Sequence, residues 1–335
     1  MKRRNVDMIS VAMATYNGEQ FLKEQLDSIF TQSLPVDEVI ICDDCSRDNT
    51  VSILNEYKKK YSQIKIFENN ENLGYKQNFK KALSLCSGDY IFLCDQDDVW
   101  YEDKVKLMID IMNSNSNILS LASSFSFIDS DDKKVTIQLI PGRSNNNFYL
   151  KEVANGDLVE VSLQEFMLHN YFQGCSLVIT KEIKDWFVEN FSEYLPHDWL
   201  INLYASYKCG MYFYNKSLFD YRIHKNNTIG VDMNVELNDQ LNKQFKSANS
   251  EYTRTLVTKS RIDVLEATKK SIPELYKKNN YAKLLDFCYK HVNAIQDRNL
   301  YQLIMLNFNP NYYKIKKMKG RLMDLFFVIK HKKNK

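Results

Sequence analysis

The sequence predicts an α/β fold: a mostly parallel sheet with flanking helices, followed by a helical C-terminal extension. Two observations support this prediction. Apolar runs of strand length alternate with helix-patterned segments through the first 130 residues, and from about residue 235 the pattern is mainly helical. Alternation of this kind implies crossover connections between parallel strands, with helices on both faces of the sheet. We therefore expect two regions, 1–230 and 231–335.

Each element has a local signature. Strands are predicted at the apolar runs 8–14, 37–42, 64–67, 89–94, 119–128, 173–180 and 211–214. Helices are predicted where apolar residues recur at helical spacing, at 21–30, 46–57, 72–86, 99–112 and 196–207. The polar segment 130–160 is expected to form a hairpin or a mobile loop. Parallel sheets bind ligands beyond the carboxyl ends of their strands, so residues that follow each strand are the first binding candidates.

Composition narrows the function classes. The chain has 335 residues, 44% of them hydrophobic and 26% charged, which is typical of a globular protein. Its nine glycines form neither a Gly-x-Gly-x-x-Gly motif nor a P-loop. This excludes a dinucleotide-binding dehydrogenase and a P-loop NTPase. A bound nucleotide would therefore need a metal ion, rather than a glycine-rich loop, at its phosphates.

The stretch Cys42-Asp43-Asp44-Cys45 presents two kinds of site at once. A C-x-x-C spacing suits a redox pair or half of a zinc site, but no second C-x-x-C completes such a zinc site. Two neighbouring anions would also raise a thiol pKa and reduce its reactivity. We predict that Cys42 ends a buried strand and that the carboxylates carry the chemistry. The odd number of scattered cysteines and the lack of a secretory signal favour the cytoplasm.

Asp95-Gln96-Asp97-Asp98 follows the apolar run at 89–94. Acids this close repel one another unless a cation lies among them, and Mn²⁺ or Mg²⁺ prefers carboxylate ligands. This D-x-D predicts a metal site. The alternative is a helix N-terminus with acids that favour its dipole.

Three further candidates lie elsewhere in the chain. Asp43 and Asp44 follow the second strand, where a carboxylate can accept hydrogen bonds from a nucleobase or a ribose. Asp198, beside Trp199 at a Pro-led helix start, could act as a general base, or simply favour the helix dipole. Arg222 and His224 could complete a metal and diphosphate site, because Arg matches phosphate oxygens.

Taken together, these motifs resemble glycosyltransferase family 2, the nucleotide-sugar enzymes of GT-A fold. The motifs are TYNG after strand one, DD-x-S after strand two, NLG before a helix, and SGDYIFLCDQDDVW. FQGCSLVIT, HDW and YRIHKNN resemble the bacterial rhamnosyltransferase-like branch, which acts in capsule and O-antigen synthesis. The resemblance covers residues 7–230. The chain lacks the Q-x-x-R-W motif of processive synthases, which favours single additions.

The resemblance implies a role for each candidate. Asp198 would be the catalytic base of an inverting transfer. Asp95, Asp97 and His224 would bind Mn²⁺ or Mg²⁺. The nucleotide-sugar donor, a UDP or dTDP sugar such as dTDP-rhamnose or a UDP-hexose, would contact Thr15, Tyr16, Asn17, Asp43, Asp44, Asp95, Gly174 and Arg222. The acceptor would be a saccharide, linked to a lipid such as undecaprenyl diphosphate. No nucleic-acid partner is expected, because outside residues 311–335 the chain is acidic.

Two rival functions remain open at this stage. Asp95-Gln96-Asp97-Asp98-Val99 also fits the D-x-D-x-[TV] loop of a haloacid-dehalogenase-like phosphatase, in which Asp95 would be the nucleophile. That loop usually follows the first strand, whereas this one follows the fourth. The second rival is a non-catalytic nucleotide-sugar binding module that has kept the fold.

The end of the chain is strongly basic. Residues 311–335 contain nine Lys/Arg and one acid, Asp324, and six apolar side chains recur there at helical spacing: Ile315, Met318, Leu322, Leu325, Phe326 and Ile329. A basic amphipathic helix is typical of peripheral membrane contact, here with the inner face of the plasma membrane. The alternative is a terminal helix that packs its apolar face on the protein body.

Overall fold

Four parallel strands form the half of the sheet that is built first along the chain. They pair in the order β3-β2-β1-β4, and almost every side chain of β1 and β2 is buried. Burial on both faces explains their continuous apolar sequences. The strands are β1 (Ile9–Thr15), β2 (Glu38–Asp43), β3 (Ile64–Glu68) and β4 (Tyr90–Cys94), joined by the helices α1 (Leu22–Phe30), α2 (Thr50–Lys60) and α3 (Tyr75–Leu85). These observations confirm the predicted α/β fold with a mostly parallel sheet.

This computed structural model describes residues 7–224 and 250–331. The chain divides into two compact units, Met1–Gly230 and Val231–Lys335. The first unit contains the whole sheet, and the described part of the second unit is helical.

Antiparallel pairing extends the sheet beyond β4. Strand β9 lies between β4 and β6 and is antiparallel to both, whereas β10 runs parallel to β6. The elements of this half are β5 (Val99–Trp100), α4 (Lys104–Ser114), β6 (Ser120–Ile128), β9 (Leu177–Thr180), α6 (Lys181–Glu189), α7 (His197–Tyr207) and β10 (Met211–Arg222). As a result, the ends of β4 and β10 approach the same region as the start of α7.

Two local predictions were wrong. The predicted helix 99–112 begins only at Lys104, because Val99 and Trp100 pair with β10 as a short antiparallel strand. The predicted strand 173–180 begins with a 3₁₀ turn at Gly174–Ser176. Segment 130–160 contains two short strands: β7 (Lys134–Val135) forms an antiparallel hairpin with β6, as predicted for the start of this segment, whereas β8 (Leu158–Glu160) pairs with β10. A four-residue helix, α5 (Leu163–Phe166), follows β8.

The described part of the second unit consists of six helices. They are α8 (Glu251–Ser271), α9 (Pro273–Lys278), α10 (Tyr281–Gln296), α11 (Leu300–Leu306), α12 (Asn311–Ile315) and α13 (Met318–Lys330). The predicted single amphipathic segment 311–335 is therefore two helices separated at Lys316 and Lys317. Residues 332–335 of that prediction lie outside the described residues.

A buried polar network ties these helices together. Asp324 is fully buried on α13, and its Oδ2 lies 3.0 Å from His291 Nε2 and accepts hydrogen bonds from Tyr312 Oη at 2.8 Å and Lys316 Nζ at 2.7 Å. His291 Nδ1 in turn lies 3.0 Å from Thr258 Oγ1. These hydrogen bonds compensate the burial of the Asp324 charge and hold its pKa below the usual range.

Replacing Asp324 by Ala should therefore lower the free energy of unfolding by about 3–5 kcal/mol, because it leaves a buried lysine without its partner. Urea denaturation measures this change. Asp286→Ala is the matched control: Asp286 forms an exposed ion pair with Lys290, and its loss should cost less than about 1 kcal/mol. Equal losses in the two variants would contradict this account of the network.

Candidate active site

A cleft of about 500 Å³ lies at the carboxyl ends of β1 and β4, beside the start of α7 and the end of β10. It brings together residues that are up to 210 positions apart in the sequence, from Ala14 to His224. Nine predicted site residues line it: Thr15, Tyr16, Asn17, Asp44, Asp95, Asp97, Gly174, Asp198 and His224. Two others, Asp43 and Arg222, lie behind the lining.

The D-x-D and the predicted histidine meet in this cleft. His224 Nε2 lies 2.7 Å from Asp97 Oδ2, and the His224 ring is 5.0 Å from the ring of Phe21. Burial, together with the negative charges of Asp97 and Asp198, raises the pKa of Asp95 to about 7. The position is thus unfavourable for a second negative charge unless a cation is present.

Asp98 is buried directly behind the D-x-D. Asp95, Asp98 and Cys175 each place a potential ligand atom within 4.8 Å of the others. Among the described residues, Asp98 Oδ2 has no hydrogen-bond partner. Burial raises the pKa of Cys175 well above its usual range, which keeps its sulfur a neutral thiol. Lys104, also fully buried, donates to the Cys175 carbonyl oxygen at 2.7 Å and supplies a positive charge below the acids.

Arg222 is fully buried at the end of β10 and holds the D-x-D loop from behind. Its Nε donates to the Asp97 carbonyl oxygen at 2.8 Å, and its backbone N–H donates to Asp98 Oδ1 at 3.2 Å. The guanidinium also forms ion pairs with Glu24, at 2.5 Å, and with Asp132. This geometry positions the acid loop, and it differs from the diphosphate contact that the sequence suggested for Arg222.

The aspartates after β2 organise the other side of the cleft. Asp43 is buried, and its Oδ2 accepts hydrogen bonds from Thr15 Oγ1 at 2.8 Å and Ser46 Oγ at 2.6 Å. Asp44 accepts the backbone N–H groups of Leu73 at 2.8 Å and Gly74 at 2.9 Å. Asp44 thereby fixes the loop that leads into α3, which the NLG motif marks in the sequence.

The C-x-x-C carries no disulfide. All seven cysteines are free, Cys42 is buried in β2, and Cys45 lies in the left-handed region with φ 64°. Burial raises the pKa of Cys42 to about 11, so this thiol is unreactive at neutral pH.

Asp198 is buried in the first turn of α7 and lines the cleft. Burial raises its pKa to about 6, while hydrogen bonds from Asn170 and from the backbone N–H groups of Trp199 and Gly174 partly offset this effect. The Trp199 N–H lies 2.7 Å from Asp198 Oδ1. A carboxylate with this pKa is largely deprotonated at neutral pH and basic enough to accept a proton.

Several cleft residues were missed in the sequence. The Gln96 amide clamps the backbone of Tyr16, accepting its N–H at 2.9 Å and donating to its carbonyl at 3.0 Å. The His197 ring stacks on Phe79 with ring centroids 4.0 Å apart, and Tyr75 contacts the His197 ring edge-on. Gln96 is the middle residue of the D-x-D, so the motif itself could have identified it as a cleft residue. The stacking pairs two helices more than 100 residues apart and leaves no local pattern.

Gly174 is required by the position of His197. A Cβ on Gly174 would lie 2.6 Å from His197 Nε2, so only glycine allows the ring to pack there. Burial lowers the pKa of His197 to about 3. The side chain beside Asp198 is therefore a neutral imidazole.

The family model of glycosyl transferase family 2 matches residues 10–168. A dTDP-rhamnosyl transferase, RfbG of Shigella flexneri, is 31% identical over 242 residues, which cover 67% of this chain and 75% of the relative. The chain belongs to glycosyltransferase family 2. A glycosyltransferase of Haemophilus influenzae is 25% identical over 84% of each chain. Family membership removes the support for the phosphatase alternative at Asp95.

Solved structures agree with this family on the fold. S. aureus TarS 1–349, in complex with UDP, aligns with a TM-score of 0.51 at 17% identity and covers 88% of this glycosyltransferase and 93% of that chain. A mannosyltransferase, PcManGT of Pyrobaculum calidifontis, aligns with a TM-score of 0.50 at 12% identity over 98% and 88% of the two chains. The sheet described above is thus the GT-A fold. Among the described helices, none is long and apolar enough to cross a membrane.

Asp44→Ala should weaken nucleotide binding at least tenfold, because the loop at Leu73 and Gly74 loses both of its carboxylate contacts. Isothermal titration with UDP and dTDP measures the affinity. Cys45→Ser is the matched control, since a hydroxyl can replace the thiol that donates to the Asn69 carbonyl at 3.0 Å. If Asp44→Ala binds nucleotide as tightly as this control, the nucleotide lies elsewhere.

Proposed function

We propose that this glycosyltransferase transfers a single sugar, with inversion, from a nucleoside-diphosphate sugar to a saccharide acceptor. One observation carries the proposal: the buried Asp198 carboxylate shares a cleft with Asp95, Asp97 and His224. The cleft thus contains both a candidate base and candidate metal ligands. A binding module without catalytic activity would not need a carboxylate whose pKa burial raises to about 6.

The proposed donor is dTDP-rhamnose, with a UDP-hexose as the second candidate. Support for the first comes from the similarity to the dTDP-rhamnosyl transferase RfbG. Support for the second comes from TarS, whose structures hold UDP and UDP-GlcNAc. A panel of nucleotide sugars, tested for hydrolysis and thermal stabilisation with Mn²⁺, distinguishes the two donors. Absence of hydrolysis across the panel would favour the non-catalytic alternative.

The residues of the cleft fit a divalent cation. Asp95 and Asp97 offer carboxylate oxygens and His224 an imidazole, a donor set that suits Mn²⁺ or Mg²⁺. Burial and the negative charges of Asp97 and Asp198 raise the pKa of Asp95, which favours a cation beside this carboxylate. Cys175 is the poorer candidate, because a buried neutral thiol does not suit a hard cation. When bound, the cation would neutralise the negative charge of the diphosphate leaving group.

Asp198 would act on the acceptor. Its carboxylate accepts the proton of the acceptor hydroxyl while that oxygen forms a bond to the anomeric carbon, and the bond from this carbon to the diphosphate oxygen breaks. A single displacement inverts the anomeric configuration. Asp198 is buried apart from the cleft that it lines, and its neighbour His197 packs on Phe79. Arg222 holds the acid loop in place rather than contacting the donor.

We also propose a lipid-linked acceptor, such as an undecaprenyl-diphosphate saccharide, in surface polysaccharide synthesis. The enzyme would then work in the cytoplasm at the inner face of the plasma membrane, with peripheral contact through residues 311–335. The basic charge of that segment supports this placement.

Asp198→Asn should lower the rate of sugar transfer by about 10²–10⁴-fold, because the amide cannot accept the proton. Nucleotide affinity should stay within about threefold of wild type. Steady-state kinetics and nucleotide titration measure the two effects. Asp185→Asn, on the exposed surface of α6, is the control; substantial transfer by the Asp198 variant would exclude Asp198 as the base.

The pH dependence of transfer should report the same carboxylate. With saturating Mn²⁺, kcat/KM should fall about tenfold per pH unit below about pH 6, because protonated Asp198 cannot accept a proton. A pH–rate profile from pH 4.5 to 8 measures this limb. A flat profile across that range would contradict the assignment.

Chelation should stop the reaction. Treatment with EDTA should abolish transfer, and Mn²⁺ or Mg²⁺ should restore it, because the leaving diphosphate needs a positive charge that no glycine-rich loop supplies. Asp97→Asn should weaken Mn²⁺ binding at least tenfold in a direct titration. Full activity in excess chelator would exclude a metal role for the D-x-D.

A further inference from the structure

Helix α13 buries two charged side chains and exposes four apolar side chains. Arg321 and Asp324 are buried, together with Phe327 and Val328. The opposite face exposes Met318, Leu322, Phe326 and Ile329, and Phe326 is 64% exposed. Apolar side chains normally form the buried face of a helix in a globular protein. The four exposed apolar side chains therefore indicate that the outer face of α13 contacts a partner outside this chain.

Helix α11, next to α13, also exposes apolar side chains. It packs against α13, and Arg321 joins the two by donating from Nε to Asn307 Oδ1 at 3.1 Å and from an Nη atom to the Asn307 carbonyl at 2.8 Å. The outward residues of α11 and the turn after it are Tyr301, Ile304, Met305 and Phe308, of which Phe308 is 81% exposed. We call the residues Tyr301, Met305, Phe308, Leu322, Phe326 and Ile329 the α11–α13 surface.

The exposed charged side chains between residues 300 and 331 all have the same sign. Between residues 300 and 331 the sequence has six Lys/Arg and a single acid, Asp324. That acid is buried against Lys316, so it presents no negative charge outward. Lys314, Lys317, Lys319 and Lys330 are exposed. Within residues 300–331 the exposed charge of lysine, arginine and acidic side chains is therefore entirely positive.

We propose that the α11–α13 surface binds the face of an anionic phospholipid bilayer. Exposed aromatic and aliphatic side chains would enter the boundary between head groups and acyl chains, while the lysines contact the anionic head groups. The described helices include none that could span the bilayer, so the contact is peripheral. This surface differs from the predicted tail segment. Helix α11 and the turn after it contribute three of its six residues, and Ile315 is not part of it.

The inference deepens the proposed function, since a lipid-linked acceptor would require the enzyme at the membrane. Its test, however, needs no donor or acceptor. Loss of sugar transfer with intact vesicle binding would count against the proposed reaction alone. Intact hydrolysis of the donor without vesicle binding would count against the membrane surface alone.

The experiment is flotation of the full-length protein with vesicles of phosphatidylglycerol and phosphatidylcholine, compared with pure phosphatidylcholine, at low and high salt. We expect binding to the anionic vesicles, with weaker binding in 0.5 M salt, about the level at which exposed charges are screened beyond a few ångströms. Leu322→Ser and Phe326→Ser should each weaken binding at least about tenfold. Lys319→Ala and Lys330→Ala should each weaken it about fivefold.

Leu150→Ser is the matched control, because Leu150 and Leu322 are both 48% exposed and Leu150 lies in the first unit. It should bind vesicles like wild type. Thermal unfolding of each variant confirms that the fold is intact, which we expect since the changed side chains face solvent.

Two outcomes would overturn the proposal. One is wild-type protein that does not float with anionic vesicles, or that floats equally well with neutral ones regardless of salt. The other is a dimer, measured by light scattering, that Phe326→Ser dissociates while vesicle binding is absent; the surface would then bind a second copy of the chain.

Discussion

Repulsion among the carboxylates beyond β4 is the constraint on which the rest of the active site depends. Asp95, Asp97 and Asp98 follow one strand, and α7 adds Asp198 from the other side. Burial and neighbouring charge raise the pKa of Asp95 to about 7 and that of Asp98 well above its usual range. The fold compensates from below, with the buried cations of Lys104 and Arg222. The negative charge that remains uncompensated faces the cleft, where a divalent cation would balance it and bind the diphosphate of the donor.

The same constraint explains why the surrounding loops are so firmly bonded. A cluster of like charges tends to separate unless its backbone is held, and Arg222 holds it through the Asp97 carbonyl and the Asp98 carboxylate. On the opposite wall, Asp43 and Asp44 are also buried, but their oxygens bond to hydroxyl and backbone donors. The two groups of aspartates thus have different roles: the two after β2 hold the loops of the pocket in place, and the three after β4 give the pocket its negative charge.

Sequence patterns predicted β1, β2 and β4, which are buried on both faces, because continuous apolar runs are a local signal. They also predicted nine residues that line one cleft in the structure, because the carboxyl ends of parallel strands lie at the same edge of the sheet. They failed where a partner lies far along the chain. Val99–Trp100 is a strand only because β10 pairs with it, and Arg222 is buried only because Glu24 and Asp132 neutralise it. The burial of Asp324 on α13 likewise depends on its contact with His291, which the periodicity of the sequence does not reveal.

The central claim is that Asp198 and the acid cluster flank one displacement at the anomeric carbon. The anomeric configuration of the product tests it most directly. Once the donor is known, the one-bond C1–H1 coupling of the isolated product, measured by NMR, gives that configuration. A configuration opposite to that of the donor is the expected result. Retention would contradict the account, because it requires a covalent intermediate or attack from the leaving-group side.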